Sequence, residues 1–285
     1  MTKTNDENLA KTDYDKANYD YQTYWEGRFY ENMVEQDYLD SLLPYYSARN
    51  KIIVDVGGSF GRLDDTTSKY FKKRIILDYS LLNLQNCKSD AILVQADAYA
   101  MPFLDSVVDL ILTVRVSHHL QDQAKFLQEV YRVLSLDGIF VYEVANKFHF
   151  KAILKNMFRL NFKFFKKEPI QQTAGAGKTF FQNYPISYIL DIARNAGFEL
   201  IEKRSIENFR SGPKGFSQKR PEFWMKLDKV LSFFFDSLNF GPSIYLVLRK
   251  TNDKKEVVDK EVDLDIAEIF KTEPKNVEGR VLVYT

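Results

Sequence analysis

A glycine-rich segment, Asp55-Val56-Gly57-Gly58-Ser59-Phe60-Gly61, has the residue types and spacing of a loop that binds a nucleotide-type cofactor. It follows an apolar run, Lys51 to Val56, whose composition predicts a buried parallel strand. Glycine lets the backbone turn sharply and approach a ligand closely. The next stretch, 63–71, predicts a helix whose free N–H groups face that ligand.

Polar side chains follow the apolar runs that come next, at the points where predicted strands end. These strands span 75–77, 91–95, 109–114 and 139–144, with a helix predicted over 121–134. Asp78 follows the first of them, 23 residues after Asp55, which is about where a carboxylate reaches ribose hydroxyls. Asp97 and Arg115 follow the next two. Because ligands of open parallel sheets bind at the carboxyl ends of the strands, these side chains are expected to share one site.

Two adjacent histidines, His118 and His119, come just after the predicted strand 109–114. A neutral imidazole near pH 7 can take a proton from a hydroxyl or an amine, so both residues are candidate catalytic bases. The alternative is that they only pack the loop. Neighbours on an extended segment cannot both point into one site, which also disfavours a metal ion there.

Four of these segments, taken in order, resemble the motifs of the class I S-adenosylmethionine-dependent methyltransferases, in particular the methyltransferase type 11-like group. Asp55 to Gly61 resembles the D-x-G-x-G-x-G loop, and Asp78 the ribose-binding acid. Asp97-Ala98, with the Met-Pro-Phe sequence at 101–103, resembles the adenine-edge motif, and 126–138 resembles the E-x-x-R-V-L-x-P-G-G helix and turn. The resemblance covers roughly residues 20–250 and implies S-adenosyl-L-methionine as the cofactor.

The resemblance implies a set of cofactor-binding residues along this edge. They are Asp55, Gly57, Gly58, Ser59, Gly61, Asp78, Tyr79, Ser80, Asp97, Ala98, Arg115 and Val116. Ser59 departs from the family pattern, because it stands where the middle glycine is expected. Its Cβ narrows the space in which the cofactor can approach the loop, whereas its hydroxyl can donate a hydrogen bond to the methionine carboxylate of the cofactor. Arg115 can instead pair with a substrate anion, or with Asp55 or Glu143.

The resemblance also implies a capping role for the tyrosine-rich N-terminal region. In the resembled family such an arm covers the cofactor and part of the substrate pocket. We therefore assign Tyr14, Tyr24, Arg28 and Tyr30 to substrate binding, together with Asn146 after the strand 139–144. The alternative for the aromatic residues is plain packing of an amphipathic helix.

The predicted fold class is α/β, a doubly wound, seven-stranded, mostly parallel sheet of the Rossmann-like methyltransferase type. Its last two strands, 198–206 and 242–248, are expected to form an antiparallel pair. The predicted parts are a disordered N-terminus at 1–13, a helical cap at 14–50, the methyltransferase domain at 51–250 with insertions at 146–183 and 207–241, a linker at 251–261 and a small β tail at 262–285. The tail resembles a zinc ribbon without its cysteines, so no metal is expected there. An unrelated β-hairpin is the alternative.

The first insertion concentrates positive charge. From 146 to 183 it carries eight lysines and arginines against one acid, a charge of +7 in a chain whose net charge is +1. Phenylalanines alternate with these cations over 147–167. Such a segment can lie on an anionic membrane surface, follow the phosphates of a nucleic acid, or cover an acidic or lipidic substrate. A solvated cationic face is the alternative.

Composition narrows the remaining possibilities. The single cysteine, Cys87, excludes an internal disulfide and is typical of a reducing cytoplasm. No run reaches about 18 apolar residues, the length of a membrane span. The first 13 residues are polar and acidic, unlike a signal peptide. A cytoplasmic protein is therefore expected.

The leading hypothesis is S-adenosylmethionine-dependent methyl transfer to a small molecule of acidic or lipidic character. RNA or tRNA methylation is the second, with the first insertion gripping phosphates. The third is a scaffold that binds the cofactor without catalysis, suggested by Ser59 and the cysteine-free tail.

Overall fold

The computed structural model describes residues 21–48, 50–174, 179–251, 265–274, 276–278 and 281–284. The segment predicted to be disordered, the substrate candidate Tyr14 and nearly all of the predicted linker lie outside these ranges.

Eleven strands and nine α-helices make up the described parts of the chain. The strands are β1 Ile52–Val56, β2 Lys73–Asp78, β3 Ile92–Gln95, β4 Val108–Thr113, β5 Leu134–Ala145, β6 Ile170–Ala174, β7 Thr179–Asn183, β8 Phe198–Ile206, β9 Ser243–Lys250, β10 Asn276–Glu278 and β11 Val281–Val283. The helices are α1 Phe29–Leu42, α2 Asp64–Thr67, α3 Leu81–Gln85, α4 Gln123–Val133, α5 Phe150–Phe158, α6 Ile186–Asn195, α7 Phe216–Lys219, α8 Pro221–Val230 and α9 Ser232–Leu238. Short 3-10 helices span Tyr21–Trp25, Leu43–Tyr45, Ser117–His119, Phe162–Phe165 and Ile266–Ile269.

A nine-stranded sheet in the order β10-β11-β3-β2-β1-β4-β5-β9-β8 is the centre of the fold. β1 to β5 pair in parallel, and β9 lies antiparallel to both β5 and β8. The doubly wound α/β class and the antiparallel final pair are confirmed. The sheet exceeds the predicted seven strands because β10 and β11, from the C-terminal tail, join its outer edge.

Apolar cores cover both faces of this sheet. Phe126 of α4 and Ile189 of α6 pack with Val54 and Phe140 on one face. On the other face, α1 buries Tyr30, Val34, Tyr38 and Leu42, which recur every four residues and so form one stripe of the helix. The same turns of α1 also bury Glu31 and Glu35, which are fully covered. These two acids become part of the site.

Two predicted elements differ from the structure. The helix expected over 63–71 is only the four residues of α2, because Thr66, Thr67 and Ser68 favour the helix weakly. The turn expected before the strand 139–144 belongs to β5, which begins at Leu134 and shifts register against β4. Asp137, at φ +61°, takes up this irregularity.

The tail packs directly on the sheet. β11 pairs in parallel with β3, and β10 pairs with β11. Ile269 is fully buried, and its carbonyl accepts from the backbone N–H of Leu104 at 2.7 Å. The Phe270 ring stacks on Tyr284, with centroids 5.3 Å apart. Together these contacts cover the edge strand β3.

Two further observations concern the described residues as a set. None of their helices is both long enough and apolar enough to cross a bilayer. Within the same ranges, no three His, Cys, Asp or Glu side chains are grouped so that they could hold a metal ion.

Candidate cofactor site

A cavity opens at the carboxyl ends of β1, β2, β3 and β4, where the sequence places the site. It is lined by Tyr21, Gly57, Ser59, Leu77, Asp78, Tyr79, Asn83, Ala96, Asp97, Ala98, Tyr99, Val114, Arg115, Val116, His119, Leu120 and Gln121. Eight of the twelve predicted cofactor-binding residues are in this lining. The other four, Asp55, Gly58, Gly61 and Ser80, are outside this lining, and the role of all twelve residues in cofactor binding stays a prediction.

The glycine-rich loop forms one wall of the cavity. Gly57 has φ +78°, and a Cβ placed there would lie 2.2 Å from Cγ2 of Val116, so only glycine fits. Ser59 also has a left-handed backbone, at φ +52°. Its hydroxyl is buried and makes no hydrogen bond within the described residues. A buried hydroxyl with no partner, in the lining of a cavity, is a group that a ligand can satisfy.

Asp78 is held in place by backbone donors on both of its oxygens. The N–H of Ser59 donates to Oδ2 at 2.9 Å, and the N–H of Ser80 donates to Oδ1 at 2.8 Å. Ser80 itself caps α3, accepting from the N–H of Asn83 at 3.2 Å. The carboxylate is thus fixed at the end of β2 and faces the cavity.

Asp55 lies beneath the loop and is buried. A Cβ on Gly58 would come within 2.8 Å of its Oδ2, which shows how closely its carboxyl group packs under the backbone. Burial raises the pKa of Asp55 to about 7, with further upward contributions from Asp78 and Asp64 and an opposing one from Arg62. Its position is that of a support for the loop.

Asp55 is expected to make the stability of the protein depend on pH. Its pKa rises from 3.8 to about 7 on folding, so the folded protein keeps a proton that the unfolded chain releases. The resulting stabilisation is present below pH 3.8 and is lost as the pH rises through about 7. We predict that Asp55→Asn, which has no proton to lose, gains melting temperature relative to the wild type between about pH 4 and pH 8. A constant difference between the two proteins across this range would contradict the shift.

The opposite wall comes from the ends of β3 and β4. The Asp97 carboxylate accepts from the N–H of Tyr99 at 3.0 Å, which fixes the turn at the adenine-edge motif. Tyr79 lines the mouth of the cavity and is half exposed. Tyr21, Asn83 and Tyr99 also line the cavity, but they were not predicted from the sequence. For Asn83 the sequence does contain a signal. Asn83 follows Ser80 by three residues, about one helical turn, so the two residues are expected on the same side of a helix.

The paired histidines lie beside the cavity under a phenylalanine of β7. Their rings are 4.1 Å apart, and each lies close to the Phe181 ring, at 5.2 Å from His118 and 5.1 Å from His119. Only His119 lines the cavity. Burial lowers the pKa of His118 well below 6.5, and the nearby His119 and Arg115 lower it further. His118 is therefore neutral at pH 7, and its catalytic role stays a prediction.

Arg115 is the centre of a buried network of charges. Its Nε lies 2.7 Å from Glu35 of α1, and its other arm pairs with Glu207 of the second insertion. The backbone N–H of Arg115 donates to Glu143 at 3.0 Å. Arg62, from the glycine-rich loop, also pairs with Glu35. Arg115 thus forms its ion pairs with Glu35 and Glu207, neither of which was predicted from the sequence. These pairs connect helix α1 of the cap and the second insertion to the wall of the cavity.

The substrate candidates of the cap have structural partners. The Tyr30 hydroxyl donates to Asp228 of α8 at 2.5 Å, and the ring is fully buried. Arg28 donates to the carbonyl of Tyr24 at 2.7 Å, and the Tyr24 hydroxyl accepts from Arg210 at 3.0 Å. These contacts join the cap to the second insertion. A role of Tyr24, Arg28 or Tyr30 in substrate binding stays a prediction.

Asn146 is buried at the end of β5 and uses its whole amide group. The Nδ2 atom donates to the carbonyls of Asn239 at 2.7 Å and Gly241 at 2.9 Å, and Oδ1 accepts from the N–H of Phe148 at 2.9 Å. The residue thus joins the first insertion to the second. Its assignment to substrate binding also stays a prediction.

Comparison with known proteins identifies the domain. Residues 54–142 match the family model described as a methyltransferase domain. The chain contains a class I S-adenosylmethionine-dependent methyltransferase domain. The matched residues run from the middle of β1 into β5 and therefore hold the glycine-rich loop, Asp78, Asp97 and the paired histidines. S-adenosyl-L-methionine is the cofactor of this methyltransferase domain.

Relatives extend the similarity over most of the chain. An uncharacterized protein of Methanocaldococcus jannaschii is 25% identical over 231 residues, which are 76% of this chain and 92% of that protein. A Mycobacterium tuberculosis protein named as a probable S-adenosylmethionine-dependent methyltransferase is 27% identical over 134 residues, 46% of each chain. The crystal structure of an S-adenosylmethionine-dependent methyltransferase from Mesorhizobium loti shares the fold with a TM-score of 0.51 at 15% identity, covering 76% of this chain and 98% of that one.

The cavity suits S-adenosylmethionine on two structural grounds. Gly57 has no Cβ, so the loop lies directly against Val116 in the cavity wall, and the unpaired Ser59 hydroxyl lies beside it. These two residues would hold the methionine end of the cofactor, Asp78 the ribose hydroxyls, and Asp97 the adenine.

Ser59 gives a direct test of this assignment. Ser59→Ala removes the hydroxyl and keeps the Cβ, so we predict that it weakens S-adenosylmethionine binding by about 1 kcal/mol, the contribution of one hydrogen bond. Titration calorimetry measures the change. Ser59→Gly is the matched variant, because it also relieves the φ of +52° and removes the Cβ. Unchanged binding by Ser59→Ala together with tighter binding by Ser59→Gly would show that the serine only crowds the loop with its Cβ.

Proposed function

We propose that the methyltransferase domain transfers the methyl group of S-adenosylmethionine to a small molecule of acidic or lipidic character in the cytoplasm. The observation that carries this proposal is the aromatic wall beside the cofactor cavity. Tyr21 and His119 line the cavity, and Phe181 covers both histidines. A wall of rings favours an acceptor with an apolar body.

The residues around the cavity support methyl transfer by positioning and by excluding water. When bound, the cofactor supplies an activated methyl group on sulfur, which reacts with a lone pair in line with it. Asp78 and the loop fix one side of the cavity, and the buried Arg115 network holds the cap against the other. His119, which lines the cavity, can as a neutral imidazole accept a hydrogen bond from a hydroxyl or an amine of the acceptor, and the neutral His118 lies beside it. This hydrogen bond orients the acceptor, and the same imidazole can take the proton that the acceptor loses.

A labelling experiment tests the proposal. The purified protein is incubated with S-adenosylmethionine carrying a labelled methyl group and with a cell extract separated into solvent-soluble, acidic aqueous and RNA fractions. We expect label in one of the first two fractions. The parallel reaction uses Asp78→Ala, which should lose the labelling.

The alternatives give different results in the same experiment. Label in the RNA fraction, together with nucleic acid in the purified protein, would favour RNA methylation. Cofactor binding by calorimetry without label in any fraction would favour a scaffold.

A further inference from the structure

The two insertions carry most of the exposed large apolar side chains of the described residues. Of twenty such side chains in all described ranges, twelve lie in 146–183 and 207–241, segments that make up about a quarter of the chain. In the first insertion these side chains are Phe150, Met157, Phe158, Leu160, Phe162 and Phe165. Clustered exposed apolar side chains mark an interaction site.

Helix α5 shows this most clearly. Its apolar residues are at 150, 153, 154, 157 and 158, the spacing of one helical face, and its cations at 151 and 155 lie along one flank of that face. Such a helix normally packs its apolar face on a protein core. Here none of the nine side chains is buried, and Phe158 is 85% exposed. The apolar face of α5 is therefore available to another apolar medium.

The second insertion continues this surface. The Phe150 ring at the start of α5 stacks on Phe240, just beyond α9, with centroids 4.6 Å apart, and the N–H of Phe150 donates to the Phe240 carbonyl. The exposed apolar side chains there are Phe216, Phe223, Val230, Phe233, Phe234 and Leu238. We call the exposed residues of α5, α8, α9 and 159–167 the insertion face.

Cations are interleaved with the apolar side chains of this face. The first insertion has a charge of +7 and the second +2, whereas the rest of the chain sums to −8. Two lysines serve the fold, because Lys147 donates to the carbonyls of Lys166 and Glu168, and Lys151 to that of Arg210. Lys155, Arg159 and Lys163 are exposed. Their charge is complementary to an anionic surface.

We propose that the insertion face docks the protein on an anionic lipid bilayer, with its phenylalanines in the interface and its cations at the headgroups. Interfacial helices combine aromatic and aliphatic residues on one face with lysine and arginine on the other. RNA fits less well, since Met157, Leu160, Val230 and Leu238 cannot stack on bases. A second copy of the chain would bring together two faces of the same charge. The docking does not need the proposed function, but delivery of a lipidic acceptor from the bilayer rests on it.

Vesicle sedimentation tests the docking on the whole protein. We expect the wild type to sediment with vesicles of phosphatidylglycerol and phosphatidylcholine, to remain in solution with phosphatidylcholine alone, and to dissociate as salt rises. Lys155→Gln/Arg159→Gln/Lys163→Gln should lower the partition coefficient roughly 100-fold, since each cation contributes about a factor of five at an anionic surface. Phe158→Ser/Phe162→Ser should lower it by at least about tenfold.

Matched variants elsewhere on the surface are the controls. One control removes the same charge, in the variant Lys72→Gln/Lys88→Gln/Lys271→Gln. The other removes exposed apolar side chains, in the variant Leu104→Ser/Leu136→Ser. Both control variants should bind vesicles like the wild type. All variants should keep cofactor affinity, which separates loss of docking from loss of fold. Absence of vesicle binding, or equal loss in the controls, would overturn the proposal. Binding of RNA but not of vesicles, or a dimer that only the insertion-face variants dissociate, would also overturn it. Vesicle binding without methyl transfer would leave the docking standing and contradict the proposed function.

Discussion

Glu35→Ala is expected to lower the free energy of unfolding by about 3–5 kcal/mol, the usual cost of removing one partner from a buried ion pair. Glu35 is fully buried on α1 and faces both Arg115 and Arg62, so its loss leaves guanidinium charge in the core with less compensation. Trp25 covers both arginines, since the centroid of its ring lies 3.7 Å from Cζ of Arg62 and 5.5 Å from Cζ of Arg115. The ring therefore keeps water from taking the place of the lost carboxylate. Urea denaturation measures the change.

The same residue predicts a dependence on acid. Burial alone would raise the pKa of Glu35, but Arg115 and Arg62 outweigh burial and lower it. Its stabilising contribution is therefore present above the ordinary value of 4.5 and is lost as the pH falls through the lowered value. The difference between the wild type and Glu35→Ala should shrink in acid.

An exposed ion pair on the same helix supplies the control. Asp37 lies 3.2 Å from Lys229, and the two side chains are 36% and 64% exposed. Asp37→Ala should cost only about 0–1 kcal/mol, as surface pairs do. Similar costs for the two alanine variants would mean that the buried network does not hold the cap in place.

Asp78→Ala is expected to reduce S-adenosylmethionine affinity by about 1.5–3 kcal/mol, because it removes a charged acceptor for the ribose hydroxyls. That is roughly a 10- to 150-fold rise in the dissociation constant, which titration calorimetry resolves. Backbone N–H groups already orient both oxygens of Asp78 in the free protein. Cofactor binding therefore does not have to order this side chain.

Asp65→Ala is the matched control for Asp78, since it removes the same charge from an exposed position outside the cavity lining. Its affinity for the cofactor should equal that of the wild type. Unchanged affinity in Asp78→Ala itself would contradict the assignment of the ribose site.

The cofactor site could be predicted from sequence because its parts follow single strands. Gly57, Asp78 and Asp97 each come directly after an apolar run, and parallel strands bring such positions to one edge. The alternation of strands and helices along the chain and the parallel pairing of β1 to β5 follow from the same pattern. The position of the Asp55 side chain could not be predicted in this way. The pattern places Asp55 at the edge of the sheet but does not distinguish a side chain in the cavity from one beneath the loop.

The charge network could not be predicted in the same way. Glu35 and Glu207 lie 80 and 92 positions from Arg115 along the chain, and no local pattern joins them. One signal was present: Glu35 precedes Leu39 by four residues and Leu42 by seven, so it shares their apolar helical face. A charged residue on that face needs a buried partner, but the helix alone does not say which arginine provides it.

The pairing of β11 with β3 affects the order in which the molecule folds. Leu93 and its partner Val281 are 188 positions apart, so this contact closes one of the largest loops in the fold. Non-local pairings of this kind form late, because the entropy of loop closure is lost before the contacts are gained. Until then β3 is an edge strand with unpaired N–H and C=O groups, which can pair with the same strand of another chain. Once paired, the C-terminal strands cover this edge, so they protect the folded protein against edge-to-edge aggregation, whereas the refolding chain is still exposed to it.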